Sequence, residues 1–230
     1  MKSLLLVLLA FSCYANIFAQ RKTTVTIKAG NNIMDVIPIA DIFYYPQFTS
    51  GIVFLRDGTK TKVKMNYNRL VDEMHFINSK GDTLALDNEK TVEYIAIGID
   101  TFYYNEGFVR LISTGNVVKL VVKQIWMIKE TRQIGAFNST NNSVSMVSYK
   151  SYNEKGRLYD LTVNEDVILT KVENYYVGDK YNHFVIAGKK NILMLFPKEE
   201  KRIGTYLKEN KINYNSKEDL EKTVQFIEHL

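Results

Sequence analysis

Lys60, Lys62 and Lys64 stand at alternate positions of TKTKVKMNYN, residues 59–68. An extended chain with a period of two puts these three on one face with Asn66 and Asn68, and Thr61, Val63, Met65 and Tyr67 on the other. Three ammonium groups in a row can recognise an anionic glycan or lipid headgroup. The plainer reading is that they keep a strand face wet while their stems shield apolar neighbours, or protect an edge strand from pairing with another chain. A second feature is aromatic: 15 tyrosines and 12 phenylalanines, with doublets at Tyr44-Tyr45, Tyr103-Tyr104 and Tyr175-Tyr176. In a strand one member of each doublet points away from the core unless both faces are covered. An exposed tyrosine can stack on a sugar or anchor a protein partner, and a half-buried one is also an ordinary strand former.

Other chemistries find little support. His75, His183 and His229 are far apart, and no HExxH, CxxC or EF-hand loop occurs, so a metal centre is not expected. His75 reads as a hydrogen-bonded, partly buried histidine. There is no GxSxG elbow, no SxxK, no GxGxxG and no Walker loop, which removes the usual nucleophile and phosphate signatures. Glycosidic cleavage by two carboxylates needs no sequence proximity, so a glycan-active enzyme using dispersed acidic residues stays open as the alternative. No cofactor is expected.

The elements that carry these residues are short strands. Residues 23–133 are dense in Val, Ile, Tyr, Phe and Thr, interrupted by Asp57-Gly58, Lys80-Gly81-Asp82, Gly98, Asn105-Glu106-Gly107 and Thr114-Gly115-Asn116. This spacing predicts antiparallel hairpins. Asp57-Gly58 suits a two-residue type I′ turn, pairing Phe54 with Thr61 and Ile52 with Val63, so that Val53 and Leu55 lie beneath the lysines. The hairpin around SKGD, with Asn78 opposite Thr83, is apolar on both sides, which predicts a small barrel or a covering second sheet. Residues 117–129 are too β-branched for a comfortable helix and read as one long strand or two with a bend.

Residues 138–143, NSTNNS, form a polar boundary, after which SVSMVSYKSY, RLYDLTV and VILTKVENYYV read as strands again. The last forty residues change period. Ile203, Tyr206 and Leu207 follow Pro197 at helical spacing, and Ser216 with Asp219 starts a second helix carrying Leu220, Val224, Ile227 and Leu230. The expected fold is mainly β (α+β), short antiparallel strands in a small barrel or sandwich with two amphipathic C-terminal helices. Its expected divisions are 20–137 (N-terminal β-domain), 138–143 (polar loop), 144–187 (second β segment) and 188–230 (helical segment).

Residues 1–19 read as a secretory signal peptide: Lys2, an apolar run from Leu4 to Phe11, and cleavage after Ala19. The run is far shorter than the roughly 20 residues of a membrane-spanning helix. Cys13 raises lipid anchoring as a competing reading, although Ala10 and Phe11 fit a lipoprotein signal poorly. With Cys13 removed, the exported chain has no cysteine and holds itself together by its core. The net charge of +5 is dispersed, which argues against nucleic acid as a partner. An outer-membrane barrel is the rival fold, opposed by the facial lysines, the two helices and the short strands.

KVKMNYNRLVDEMHFINSKGDTLAL, GIDTFYYNEGFVRLI and VKLVVKQ, with the leader ending IFAQ and the tail KKNILMLFPKEEKRIGTYLKENKINY, resemble uncharacterised secreted β-rich proteins of Bacteroidetes. The resemblance covers most of the chain and implies export, but its motifs are turns and strands and carry over no catalytic residue. The expectation is a periplasmic or extracellular, non-catalytic binding or interaction protein of the bacterial cell envelope. Its partner would be an envelope protein or a glycan, met through Lys60, Lys62, Lys64, Tyr175 and Tyr176.

Overall fold

Alternating β-branched and large apolar residues make residues 118–134 the spine of the molecule. In the structure, a computed structural model that describes residues 24–134, 140–148, 162–163 and 165–230, they form one 17-residue strand, β9 (Val118–Ile134). The strands before it are β1 (Thr24–Ile27), β2 (Thr49–Leu55), β3 (Lys60–Asn68), β4 (Glu73–Ile77), β5 (Thr83–Ala85), β6 (Val92–Ile97), β7 (Asp100–Tyr104) and β8 (Phe108–Thr114). After it come β10 (Thr140–Ser148), β11 (Asp166–Asp179) and β12 (Phe184–Ile186). All pair antiparallel in one sheet, in the order β1-β11-β9-β8-β7-β6-β2-β3-β4-β5, with β10 also on β9 and β12 also on β11.

The fold is therefore mainly β, as expected, but the strands make one continuous sheet that does not close into a barrel. The NSTNNS boundary does not separate two sheets. Thr140 to Ser143 already belong to β10 and pair with Thr131 to Ile134, while β1 crosses the boundary to pair with Val167 to Thr170 of β11. Residues 138–139, and the strands expected over 149–161, lie outside the described residues.

Two registers differ from expectation for one reason. In the β2–β3 hairpin Gly58 N–H donates to Leu55 O and Leu55 N–H to Thr59 O, both at 2.9 Å, so the loop is three residues long, ending in Gly58 at φ +88°. The β4–β5 loop repeats the arrangement with Gly81 at φ +92° and Asn78 N–H donating to Asp82 O. Three residues ending in a left-handed glycine are one more than the two-residue turn expected at Asp57-Gly58 and one fewer than the four-residue loop expected between Asn78 and Thr83, and a one-residue slip exchanges the faces. Phe54 accordingly opposes Lys60, and Ile52 opposes Lys62. In the second hairpin Phe76 opposes Leu84, and His75 opposes Ala85.

The C-terminal helices are α3 (Lys189–Leu195), α4 (Glu200–Glu209) and α5 (Lys217–Glu228). The two expected ones start where the sequence places them: Pro197 opens a 3₁₀ turn before α4, and Ser216 Oγ caps α5 by accepting from Asp219 N–H at 3.3 Å. Ile192, Ile203, Leu207, Leu220, Val224 and Ile227 cover Val118, Leu120, Val122, Tyr175 and Val177. Two short helices, α1 (Ile33–Val36) and α2 (Ile39–Ile42), had no clear period to announce them. They bring Ile33, Ile37 and Ile42 onto Trp126, Ile128, Val167 and Leu169. A third apolar cluster joins Val53, Met65, Tyr67, Met74, Ile95, Ile97, Phe102 and Phe108.

A buried polar knot ties the β3–β4 turn to β9. Lys123 Nζ donates to Asp72 Oδ2 (3.1 Å) and to the carbonyls of Asn105 and Glu106 (3.2 and 2.7 Å). Asp72 Oδ1 accepts from Tyr67 Oη (2.7 Å) and Phe108 N–H (2.9 Å). Every charged atom of this pair has a partner, as burial requires.

At the opposite edge, Asp166 holds the end of β1: its carboxylate accepts from Lys28 Nζ at 2.7 Å and Ala29 N–H at 3.0 Å. The Lys28 hydrogen bond, followed by that of Ala29, depresses its pKa. A depressed folded pKa means that the unfolded chain binds the proton first as pH falls. The stabilisation is complete above the ordinary carboxylate range, about pH 4, and is lost as pH falls through the lower folded value. Hydrogen-exchange protection of Val25 and Ile27 should drop on acidification through that window in the native protein, and Asp166→Asn should remove this pH dependence. Protection that ignores pH in the native protein would contradict the clamp.

Candidate functional site

The corrected register defines the surroundings of the lysine row. Lys60, Lys62 and Lys64 are all exposed, and their neighbours across β2 are Phe54, Ile52 and Ser50. Val53, which the sequence placed beneath them, is instead core. Lys60 Nζ lies 5.1 Å from the centre of the Phe54 ring. None of the three makes an ion pair with a carboxylate among the described residues.

Ladder pairing carries this face across the sheet. Ile52 opposes Ala96, Ala96 opposes Thr101, Tyr103 opposes Val109, and Leu111 opposes Val121. Val121 alternates with Leu120 and Val122, which lie under the helices, so the lysines project from the opposite side of the sheet. There the aromatic rings form a path. Phe54 stacks on Tyr94 at 4.3 Å, Tyr94 meets Tyr103 at 6.4 Å, and Tyr103 meets Phe184 of β12 at 5.2 Å. Lys119 Nζ sits 6.0 Å from the Tyr103 ring. Beneath them Tyr103, Val109 and Val121 form a small apolar cluster with Leu111 and Tyr176.

The tyrosine doublet expected to meet a partner is divided between the faces. Tyr176 opposes Val121 and is half-buried on the lysine side. Tyr175 is 7% exposed, lies in the cluster under the C-terminal helices, and donates its hydroxyl to the Glu173 carboxylate. It belongs to the core and presents no ring to a partner. Burial, then the Glu173 hydrogen bond, pushes its pKa up to about 12. Burial likewise raises Tyr103 and Tyr176, so these two phenols add no negative charge at neutral pH. The structure thus joins Lys60, Lys62, Lys64 and Tyr176 on one face and sets Tyr175 apart. Reading the sequence missed Phe54, Tyr94 and Phe184; the period of two held that signal, but the turn length decided which face it fell on.

A concavity of about 240 Å³ lies on the helix side, lined by Asp41, Arg69, Gln124, Ile125, Trp126, Lys171, Val172 and Glu173. Its charges are largely answered from within. Lys171 Nζ contacts Asp41 Oδ1 at 2.6 Å and lies over the Trp126 ring at 5.0 Å. Arg69 donates to Ala40 O and Phe43 O, Trp126 Nε1 donates to Asp41 O, and Gln124 donates to Glu173. These bonds hold α2 and the β3–β4 turn to the spine.

The histidines occupy structural positions. His75 is buried, 3.3 Å from Glu73 Oε2 and edge-on to Phe43. His183 pairs with Asp179 at 2.8 Å, and His229 Nδ1 lies 2.7 Å from Gln225 O. Among the described residues no three His, Cys, Asp or Glu side chains are grouped to hold a metal ion. Comparison with protein-family models, curated proteins and solved structures found no match to this chain.

Proposed function

We propose that the protein is an exported, non-catalytic binding protein of the bacterial cell envelope, and that it takes an anionic glycan on the face opposite its C-terminal helices. The observation carrying this reading is the exposed row Lys60, Lys62 and Lys64, which has no carboxylate counterion among the described residues and flanks the Phe54–Tyr94 stack. Alternate strand residues on one face stand roughly 7 Å apart, inside a physiological Debye length of about 8 Å. The three charges therefore act together on a polyanion, and the half-buried rings supply apolar surface for sugar C–H faces. The sequence resemblance supports the envelope assignment.

The test is retention on immobilised polygalacturonate compared with neutral dextran. The native protein should be retained on the polyanion and released by salt. Lys60→Gln/Lys62→Gln/Lys64→Gln should bind about tenfold more weakly, from some 0.5 kcal/mol per exposed charge, with stability changed by less than about 0.5 kcal/mol. Equal retention of the triple variant would refute the lysine face. Fractionation that finds the protein in the cytoplasm would refute the envelope role.

A further inference from the structure

Gly178 stands inside β11, opposite Lys119 of β9 on one side and Phe184 of β12 on the other. A glycine within a strand weakens it and often marks a close approach. Gly178 is not among the glycines with positive φ, so the backbone conformation does not require it. The close approach is that of Phe184: a Cβ on residue 178 would lie 2.4 Å from Phe184 Cδ1 and 2.5 Å from its Cε1. Phe184 therefore rests against β11 where any side chain at 178 would displace it.

That posture has two results. The ring covers a glycine, the ordinary structural use of an aromatic residue opposite one. It also comes within 5.2 Å of the Tyr103 ring while Phe184 stays half-buried. Tyr103 is itself buried and bridges two half-buried ring surfaces, the Phe54–Tyr94 stack beside the lysine row and Phe184 beyond it. Charge at the Phe184 end is balanced, because the ionised Asp179 and Glu228 stand beside Lys119 and Lys180, and Glu93 acts on Tyr103. This end offers a ligand apolar contact, and Lys60, Lys62 and Lys64 alone set the sign of the charge it must carry.

We infer that Gly178 is a positioning residue of the glycan site: by seating Phe184 beside Tyr103 it extends the site from the lysine row to β12, so that several consecutive sugar residues are read at once. The inference rests on the glycan reading above and adds to it a length requirement. Phe184 supplies a second apolar surface for a sugar ring. Ring-to-ring steps of 4.3, 6.4 and 5.2 Å separate it from Phe54. A disaccharide held at Lys62 and Lys64 does not reach Phe184, whereas a longer chain lying across the strands meets both ring surfaces.

The test is competition for immobilised polygalacturonate by digalacturonate and by hexagalacturonate. Gly178→Ala should weaken the hexamer about fivefold, the scale of one lost ring contact, and leave the dimer unchanged. Phe184→Ala should do the same, and the double variant should lose no more than either alone, because Gly178 acts through Phe184. The loss should persist at high salt, which screens the lysine row but not a ring contact. Lys60→Gln/Lys62→Gln/Lys64→Gln should instead weaken both oligomers. Equal losses on dimer and hexamer, additive losses in the double variant, or a Phe184→Ala protein that binds the hexamer as the native does would each overturn the inference while leaving the lysine face standing. If Gly178→Ala does not fold, Phe184→Ala decides by the same comparison. A native protein that polygalacturonate does not retain would refute the glycan reading itself, and this inference with it.

Discussion

Lys123→Met should lower the unfolding free energy by about 3–5 kcal/mol, the usual cost of leaving one member of a buried ion pair without its counterion. The Asp72 carboxylate would keep the Tyr67 and Phe108 donors but lose its partner cation, and the carbonyls of Asn105 and Glu106 would lose a shared donor. Asp72 also has φ +56°, a conformation that Asn tolerates and most side chains do not. Asp72→Asn is therefore the partner of choice for a double-mutant cycle. Lys123→Met/Asp72→Asn should be more stable than Lys123→Met alone, because the neutral amide is cheaper to bury and can still accept from Tyr67. Urea denaturation measures each step. A loss below about 1 kcal/mol for Lys123→Met would mean that the knot is not what fixes the β3–β4 turn against β9.

Phe102→Ala should cost a similar amount, about 3–5 kcal/mol, through lost transfer energy and the cavity left behind. Phe102 is fully buried, with ring contacts to Tyr44 at 5.8 Å and Tyr67 at 5.7 Å. The variant also tests whether the molecule unfolds as one body. Trp126 lies in a different apolar cluster, beside α1 and α2, yet the same sheet passes beneath both. Trp126 fluorescence and far-ultraviolet circular dichroism should move to the same lower denaturant midpoint, as a cooperative transition requires. A Trp126 transition left at its native midpoint would show that the two clusters melt independently.

The division expected at residues 138–143 illustrates where the sequence could be read and where it could not. β9 and β11 are legible because their β-branched runs admit no other regular structure, and α4 and α5 because Pro197, Ser216 and a helical stripe mark their starts and faces. The single sheet was hidden because strand order is a long-range property: nothing local to Thr24–Ile27 names Val167–Thr170 as its partner. The lysine row was visible as a row, but its neighbours were not. An assumed two-residue turn put Val53 and Leu55 under it, and one left-handed glycine, Gly58, replaced them with Ile52 and Phe54. Tyr175 and Tyr176 were indistinguishable as letters; only the three helices over one side of β11 decide which of the two is core.

The pairing of β1 with β11 has a kinetic consequence. Thr24 and Thr170 touch across 146 positions of sequence, so the first of the described strands to be made is the last whose partner exists. Contacts of such separation are slow to close, since the entropy of the intervening loop must be lost before they return any energy. During synthesis, or during passage through a translocation pore if the chain is exported, Thr24–Ile27 stays an open strand end until residues beyond 170 emerge. A chain stalled before that point carries unpaired edges on β9 as well, the kind of species that associates with its own copies. Pulse-labelled chains truncated at residue 165 should therefore aggregate or recruit chaperones, whereas chains that include residues 166–230 should not.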